Sequence, residues 1–316
     1  MKKTFLLIAK DNSYGLVREA NVIAEQLEAH GFDVTRATPR SRSLISRLTR
    51  KKHADVIIFF ERIFPAWYSA ADEFYLVPNQ ERYPKRQLNR LKKLNAVLTK
   101  TRHAEEVFQA CGSATIDIGF SSEDRQNSSY KKDKTKFFHL AGGSTLKGTE
   151  VILDLWEKHP EWPTLTLVQK QVNAPEKVPV NVKLHSGYLS NEDLLKQQNE
   201  CGIHLCPSRS EGWGHYIVEA LSTGALVLTT DAEPMNEHIK QEYGVLVPYN
   251  RQSPRHIGTN FYIDPSKLEA AINDLIEINE TEFSKKSEKA REAYESIHQN
   301  YVTRFEQFLK SNGQRG

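Results

Sequence analysis

Along the first 120 residues, short apolar runs alternate with segments whose apolar positions recur every three or four residues. Phe5-Leu-Leu-Ile-Ala9 comes first, then Gly15 and a stretch to His30 with Val17, Ala20, Ile23, Ala24 and Leu27 on one helical face. Gly31 is placed to stop that helix before Phe32-Asp-Val34. Asp55–Phe60, Phe74–Val77 and Ala96–Thr99 are further strand-like runs with helical material between them. That rhythm is the βαβ repeat of a parallel, doubly wound sheet. Ser121 to Lys136 is nearly devoid of apolar residues and reads as a linker. The rhythm then restarts with a strand at Phe137–Leu140, a helix over Thr149–Lys158, and strands at Leu165–Val168, Val180–Leu184, Gly202–Cys206 and Ala225–Thr229. Beyond Pro265 the pattern is helical to Lys310, with a break near Asn300. The expected fold is α/β, two Rossmann-like domains with parallel sheets facing a central cleft. Their bounds are 1–120 and 137–298, with a linker over 121–136 and a last helical segment over 299–316. In such sheets ligands bind beyond the carboxyl ends of the strands, which is where chemistry is sought.

Length and composition agree with this picture. A chain of 316 residues exceeds what one core usually supports. With 39% hydrophobic and 26% charged residues it is neither disordered nor a helical membrane protein, and no apolar run approaches the ~18–20 residues of a spanning helix. The start, Met1-Lys2-Lys3 and then Thr4 to Ala9, imitates a secretion signal. Lys10 and Asp11 cut the apolar run short and no small-residue cleavage site follows, so it reads as a first buried strand. Cys111, Cys201 and Cys206 are too scattered for a disulfide or zinc framework, and a reducing, cytoplasmic setting is expected.

The net charge of +3 hides an asymmetry: residues 1–120 hold 20 Lys/Arg against 13 Asp/Glu, and the remainder is net acidic. Seven basic residues lie between Arg36 and Lys52 and seven more between Lys85 and Arg102. A basic first half suggests an anionic partner there, phosphates, nucleic acid or a membrane surface, although a solvated helix face has the same composition. Within it, Leu44, Ile45 and Leu48 form one narrow stripe flanked by Arg42, Arg47, Arg50, Lys51 and Lys52. A crossover helix needs an apolar face, so the stripe is expected to pack on the sheet and leave the arginines outside.

The most informative stretch runs from His204 to Thr230. A buried strand ends at Cys206-Pro207, a glycine-broken polar turn follows, and a helix starts near Gly214–His215. Gly212 and Gly214 permit close backbone approach, and the free first-turn N–H groups suit a phosphate. Glu211 lies in the loop, and Glu219 lies about one turn inside the helix, where a carboxylate can accept both hydrogens of a vicinal diol. Acidic residues at a helix start also merely complement its dipole, and the spacing alone does not separate the two readings.

The surrounding PSRSEGWG…VEALSTGALVLTTD resembles the E-x7-E signature of the retaining, family-4 (group 1) glycosyltransferases of GT-B fold, with Glu211 and Glu219 as its glutamates. Leu140-Ala-Gly-Gly-Ser-Thr-Leu-Lys147-Gly148 is similar to that family's glycine-rich loop with a phosphate-binding lysine. Val182-Lys-Leu-His-Ser-Gly187-Tyr-Leu189 is similar to the strand that reads the nucleotide base. The likeness covers about residues 136–250, and the first half only in rhythm. It implies that Lys147 neutralises a donor diphosphate, that the amides around Gly214 and His215 cradle it, that Glu211 bonds the donor sugar and that Glu219 holds the ribose. Gly142, Gly143, Arg209, Gly212, Trp213 and Tyr216 complete the donor set, Gly15 joins it from the first loop, and Leu184, Gly187, Tyr188 and Leu189 would meet the base. Many members carry an arginine five residues before the lysine; here that position is Gly142, so either Arg209, Arg102 or Lys100 supplies charge or donor affinity is low. The resemblance also implies a last helix returning to the first domain, retention of configuration and no divalent metal.

Strand ends in the first half offer an acceptor side. Glu61, Asn79, Glu81 and Arg102 follow apolar runs, and Glu61, with Glu211 and Lys147, completes the candidate catalytic set. No G-x-G-x-x-G follows the first strand, and there is no Walker loop, no histidine array for zinc and no Asp-x-Asp. No cofactor or metal is therefore expected, and nucleic acid is an unlikely partner. The expected function is transfer of a sugar from a nucleotide-sugar, UDP by default, to a glycan or lipid-linked acceptor in cell-surface polysaccharide or glycoconjugate synthesis. Peripheral contact with an anionic membrane would accompany it. A sugar-nucleotide epimerase of the same fold, or a non-catalytic sugar-nucleotide or glycan-binding protein, are the alternatives.

Overall fold

A computed structural model describes residues 2–10, 14–187 and 189–312. The chain divides into two compact units. Unit 1 comprises Met1–Ser121, Arg255–Gly258 and His298–Gly316, and unit 2 comprises Ser122–Pro254 and Thr259–Ile297.

Unit 1 is built from β1 (Thr4–Ile8), α1 (Tyr14–Ala29), β2 (Asp33–Ala37), α2 (Leu44–Leu48), β3 (Val56–Phe60), β4 (Glu73–Val77), α3 (Leu88–Leu91), β5 (Ala96–Thr99), α4 (Arg102–Ala110) and β6 (Thr115–Asp117). Its strands pair in parallel in the order β2-β1-β3-β4-β5-β6. The central strand β3, Val-Ile-Ile-Phe-Phe, is buried at every position, as a parallel strand covered on both faces must be. Phe59, Leu76, Trp67, Tyr83 and Phe108 lie in its core.

Unit 2 contains β7 (Asp133–Gly142), α5 (Thr149–Lys158), β8 (Leu165–Gln169), β9 (Val182–Ser186), α6 (Asn191–Glu200), β10 (Cys201–Cys206), α7 (His215–Ser222), β11 (Leu226–Thr230), β12 (Gly244–Val247), β13 (Tyr249–Arg255), β14 (Gly258–Ile263), α8 (Pro265–Ile276) and α9 (Glu280–Asn312). The tip of the β13–β14 hairpin and the end of α9 belong to unit 1. The sheet order is β12-β11-β10-β7-β8-β9, again parallel, and its core packs Trp156, Leu165, Leu205 and Leu228. The strand order reverses between β7 and β10, which are neighbours although two βα repeats separate them in sequence.

Three expectations need correction, and one element was missed. The stretch 121–136 is no free linker: Ser122 and Arg125 are buried. Arg125 Nε donates to Gln198 Oε1 at 2.9 Å and Asn199 Nδ2 donates to Arg125 O at 2.7 Å, so the segment straps α6 and α7. Polar composition hid this because its buried groups are satisfied by hydrogen bonds. The helical break falls at 277–279, and α9 runs through Asn300 without one. The β13–β14 hairpin was not foreseen, since β13 is mostly exposed and lacks an apolar alternation. The stripe of α2 does not pack on the sheet: Leu44, Ile45 and Leu48 face solvent and buried Arg42 takes the inner position.

Candidate functional site

At the reversal between β7 and β10 the two strands deliver their following loops to one place, as the rule for open α/β sheets requires. The loop after β7 carries Lys147 and the loop after β10 carries Glu211. Lys147 Nζ donates to Glu211 Oε1 at 2.5 Å and stands 3.6 Å from the centre of the Tyr216 ring. Ser208 Oγ also donates to Glu211 and lies 2.7 Å from the Tyr216 hydroxyl. Burial pushes that phenol well above its ordinary pKa, so Tyr216 is a neutral platform for the ammonium. Both members of the ion pair keep a small exposed area, 15% and 14% of the side chain, so an incoming anion has access to the lysine.

Gly148 locks the two loops together. It begins α5 at φ +69, and a Cβ there would lie 2.4 Å from Pro207 O, so only glycine lets the lysine loop approach the β10 loop. Gly214 begins α7 at φ +92, with a virtual Cβ 3.2 Å from Ile217. Neither helix has a side-chain cap, whereas Ser43, Thr101, Ser190 and Asp264 cap α2, α4, α6 and α8. At these two helix starts no N-cap side chain accepts from a first-turn amide, the arrangement in which an anion can serve as the cap.

Glu219 is buried one turn into α7, and its Oε2 accepts from Gln198 Nε2 at 3.4 Å. Through Gln198 it is linked to Arg125. His215 Nδ1 lies 2.9 Å from Ser122 Oγ, which also accepts from Trp213 Nε1 at 3.1 Å. Trp213 is buried, and its carbonyl accepts from His238 Nε2 at 2.7 Å, so its ring anchors the turn. Beneath the loops His139 donates from Nδ1 to Leu205 O at 2.7 Å and accepts at Nε2 from Thr149, 3.0 Å away. Burial holds His139 and His238 down to about 4 and His204 down to about 3, so all three are neutral.

The remaining donor candidates are less concentrated. Gly142 ends β7 at φ +55 with nothing near a virtual Cβ, and Gly143 lies against the stem of Lys170, a cation the sequence reading missed. Arg209 is paired with Glu150 and sits 4.8 Å from the Tyr262 ring, where Arg251 also stacks at 3.7 Å. Gly212 is buried within the turn. Leu184 lies on edge strand β9, and Leu189 packs beside Phe138 and Val168. Gly187 has φ +95, and Tyr188 lies outside the described residues. Ser208, Gln198 and Arg125 were not singled out from the sequence; only their hydrogen bonds reveal them.

In unit 1, Glu61 follows β3 at φ +61, buried between Arg62 and Arg82 at 3.8 and 3.9 Å. Glu81 is buried beside Arg82, and Gly258 at the hairpin tip approaches its backbone, a virtual Cβ lying 3.2 Å from Glu81 Cα. Asn79 Oδ1 accepts from buried Lys100 Nζ at 2.6 Å, and Glu19 Oε1 accepts from the same nitrogen at 2.6 Å. Arg102 is exposed and lies 3.8 Å from Glu106. Gly15 is exposed in the first turn of α1, and among the described residues nothing lies near a virtual Cβ there. Among the described residues no cluster of three or more His, Cys, Asp or Glu side chains could hold a metal ion.

Residues 175–293 match the sequence model of the family described as Glycosyl transferases group 1. That stretch, most of unit 2, is thus similar in sequence to group 1 glycosyltransferases. Its α7 with Glu219, the loop with Glu211 and strands β9–β12 all fall inside the match, while Lys147 lies before it. No curated protein matches the chain in sequence. Solved structures share its GT-B fold. Sucrose-phosphate synthase from Thermosynechococcus elongatus superposes with TM-score 0.72 at 13% identity, over 98% of both chains. HepE of Anabaena in complex with UDP and glucose gives 0.69 at 14%, over 98% of this chain and 99% of its own. The pneumococcal O-GlcNAc transferase GtfA in complex with UDP and GlcNAc gives 0.60 at 14%, over 81% of this chain. Against GtfA, this chain spans 56% of the relative's length.

Proposed function

We propose that this protein is a group 1 glycosyltransferase that transfers a hexosyl-type sugar, with retention, from a UDP-sugar to a glycan or lipid-linked acceptor. The observation that carries the reading is the Lys147–Glu211 pair over Tyr216, set between two helix starts that have no side-chain cap. A diphosphate would draw Lys147 from Glu211 and accept from the first-turn amides of α5 and α7. Glu211, released, would accept from a donor-sugar hydroxyl, and Glu219 would hold the ribose. The bond from anomeric carbon to phosphate oxygen breaks and the bond to the acceptor oxygen forms on the same face. The acceptor proton passes to the departing diphosphate, so the protein supplies position and charge rather than a nucleophile. With cations and amides meeting the diphosphate, no divalent metal is needed. UDP is preferred because HepE and GtfA were solved with it. Glu61, Asn79, Glu81 and Arg102 would face the acceptor, in cell-surface polysaccharide or glycoconjugate synthesis at the cytoplasmic side.

Thermal shift against UDP, GDP, ADP, CMP and dTDP tests the donor, followed by UDP release from UDP-sugars with and without acceptor glycans in EDTA. Stabilisation by UDP and acceptor-dependent release in EDTA are expected. Donor interconversion without any acceptor would instead make the protein an epimerase, and activity abolished by EDTA and restored by Mn²⁺ would overturn the metal-free mechanism.

A further inference from the structure

The segment joining β2 to β3 turns its aliphatic side chains outward. Leu44, Ile45 and Leu48, all on the five-residue α2, are 73%, 74% and 84% exposed. The inner position belongs to Arg42. Its buried guanidinium donates to Ala66 O at 2.6 Å, to Ser46 O and Lys51 O at 3.1 Å each, and to Ser69 Oγ at 3.0 Å. Ser43 caps the helix by accepting from Ser46 N at 3.1 Å. The polar groups of the segment thus clamp it from inside, and three large aliphatic chains stand in water, which is unfavourable unless something covers them.

Charge around this tip identifies the cover. No Asp or Glu occurs between Arg36 and Ala54. Arg42 is used internally, Arg36 lies 3.7 Å from Glu28 and Lys52 lies 2.5 Å from Asp72. Arg40, Arg47, Arg50 and Lys51 make no ion pair among the described residues. A second copy would bring the same cations face to face. Three side chains on a turn and a half also fall far short of the ~800 Å² per partner of a stable interface. A surface that is apolar below and anionic above satisfies both features: the headgroup and acyl boundary of a lipid leaflet.

We propose that α2 is a lipid contact, with Leu44, Ile45 and Leu48 entering an anionic leaflet while Arg40, Arg47, Arg50 and Lys51 meet its phosphates. It is an interfacial tip, and among the described residues no helix is long and apolar enough to cross a membrane. The contact needs no turnover and stands independently of sugar transfer.

Co-flotation tests it, using vesicles of phosphatidylcholine alone and of phosphatidylcholine with an equal share of phosphatidylglycerol. Two variants are compared with the parent: Leu44→Ser/Ile45→Ser/Leu48→Ser and Arg40→Gln/Arg50→Gln/Lys51→Gln. The parent floats with the anionic vesicles only. Removing three of the four surface cations weakens partition by up to about a hundredfold, at about fivefold per cation, and reduces its salt sensitivity. The serine variant loses at least about tenfold while keeping its Tm, because the replaced side chains are exposed. Equal flotation with both lipids, or unchanged binding by the serine variant, overturns the proposal. So does a serine variant that turns a dimer into a monomer in sedimentation without altering flotation, which would give the tip to a second copy.

Discussion

The two units have the same sheet, six parallel strands with one reversal, yet dispose of polar groups in opposite ways. Unit 1 buries charge as pairs. Lys100 is fully enclosed between Glu19 and Asn79, Arg42 is spent on carbonyls, and Glu61 and Glu81 sit against Arg62 and Arg82. Unit 2 buries neutral histidines under its loops and keeps its decisive ion pair, Lys147–Glu211, at the rim. Its site helices begin on glycine, whereas Thr101 caps α4 of unit 1. A buried pair holds a scaffold, while a rim pair can be exchanged for a ligand.

The largest expected effect separates the units by pH. Folding keeps His139, His204 and His238 neutral, so below about 6.5 the unfolded chain binds protons that unit 2 does not. Their stabilisation is complete above that pH and fades as pH falls toward about 4, by up to about 4 kcal/mol per pH unit for the three together. In unit 1 the histidines held low, His53 and His256, are exposed. Hydrogen exchange between pH 7 and 4.5 should release peptides of β7 and β10 before those of β1 and β3. Simultaneous release would erase the distinction.

Next comes the buried pair of unit 1. Lys100→Ala strands Glu19 and should cost about 3–5 kcal/mol, while Lys100→Met with Glu19→Leu should recover most of it. Urea titration of both variants measures this, and a double variant no better than the single one would contradict it.

At the rim of unit 2, Lys147→Ala should lower turnover about 10²–10³-fold, with a smaller change in UDP affinity, because charge grows on the departing diphosphate. Glu211→Gln should raise UDP affinity while lowering turnover, since the lysine loses its competitor. Calorimetry and steady-state kinetics read the two, and weaker UDP binding by Glu211→Gln would break the exchange model.

The smallest effects concern glycine. Gly148→Ala combines φ +69 with an overlap at Pro207 O and should cost about 2 kcal/mol or more, together with activity. Gly142→Ala meets no atom and should cost about 1–2 kcal/mol from φ +55 alone. Gly15→Ala, in open space on α1, should gain about 0.5–1 kcal/mol. Thermal midpoints that fail to follow that order would show that the loop is not held by close approach.

Much of the candidate donor region was legible because its constraints are local. A strand end, two glycines and a glutamate on each side of a helix start lie within one stretch from Cys206 to Glu219, and short-range geometry dictates those residue types. The strand rhythm was legible for the same reason, since burial on both faces of a parallel sheet forces contiguous apolar runs such as Val56–Phe60. Elements without a buried face of their own escaped, among them the exposed hairpin and the hydrogen-bonded strap around Arg125.

What the sequence alone determined, then, was the α/β class, the two-part layout and the strand–turn–helix geometry of the Glu211–Glu219 block, because periodicity and turn chemistry act over a few residues. Tertiary structure decided which distant groups meet. It brought Lys147 to Glu211 across 64 residues and Arg125 to Gln198 across 73, and it enclosed Lys100 with Glu19. It also reversed the reading of α2. An amphipathic pattern shows that one face is apolar, but which face turns inward depends on what the rest of the fold offers it, and here the carbonyls around Arg42 outcompeted a place for three aliphatic chains.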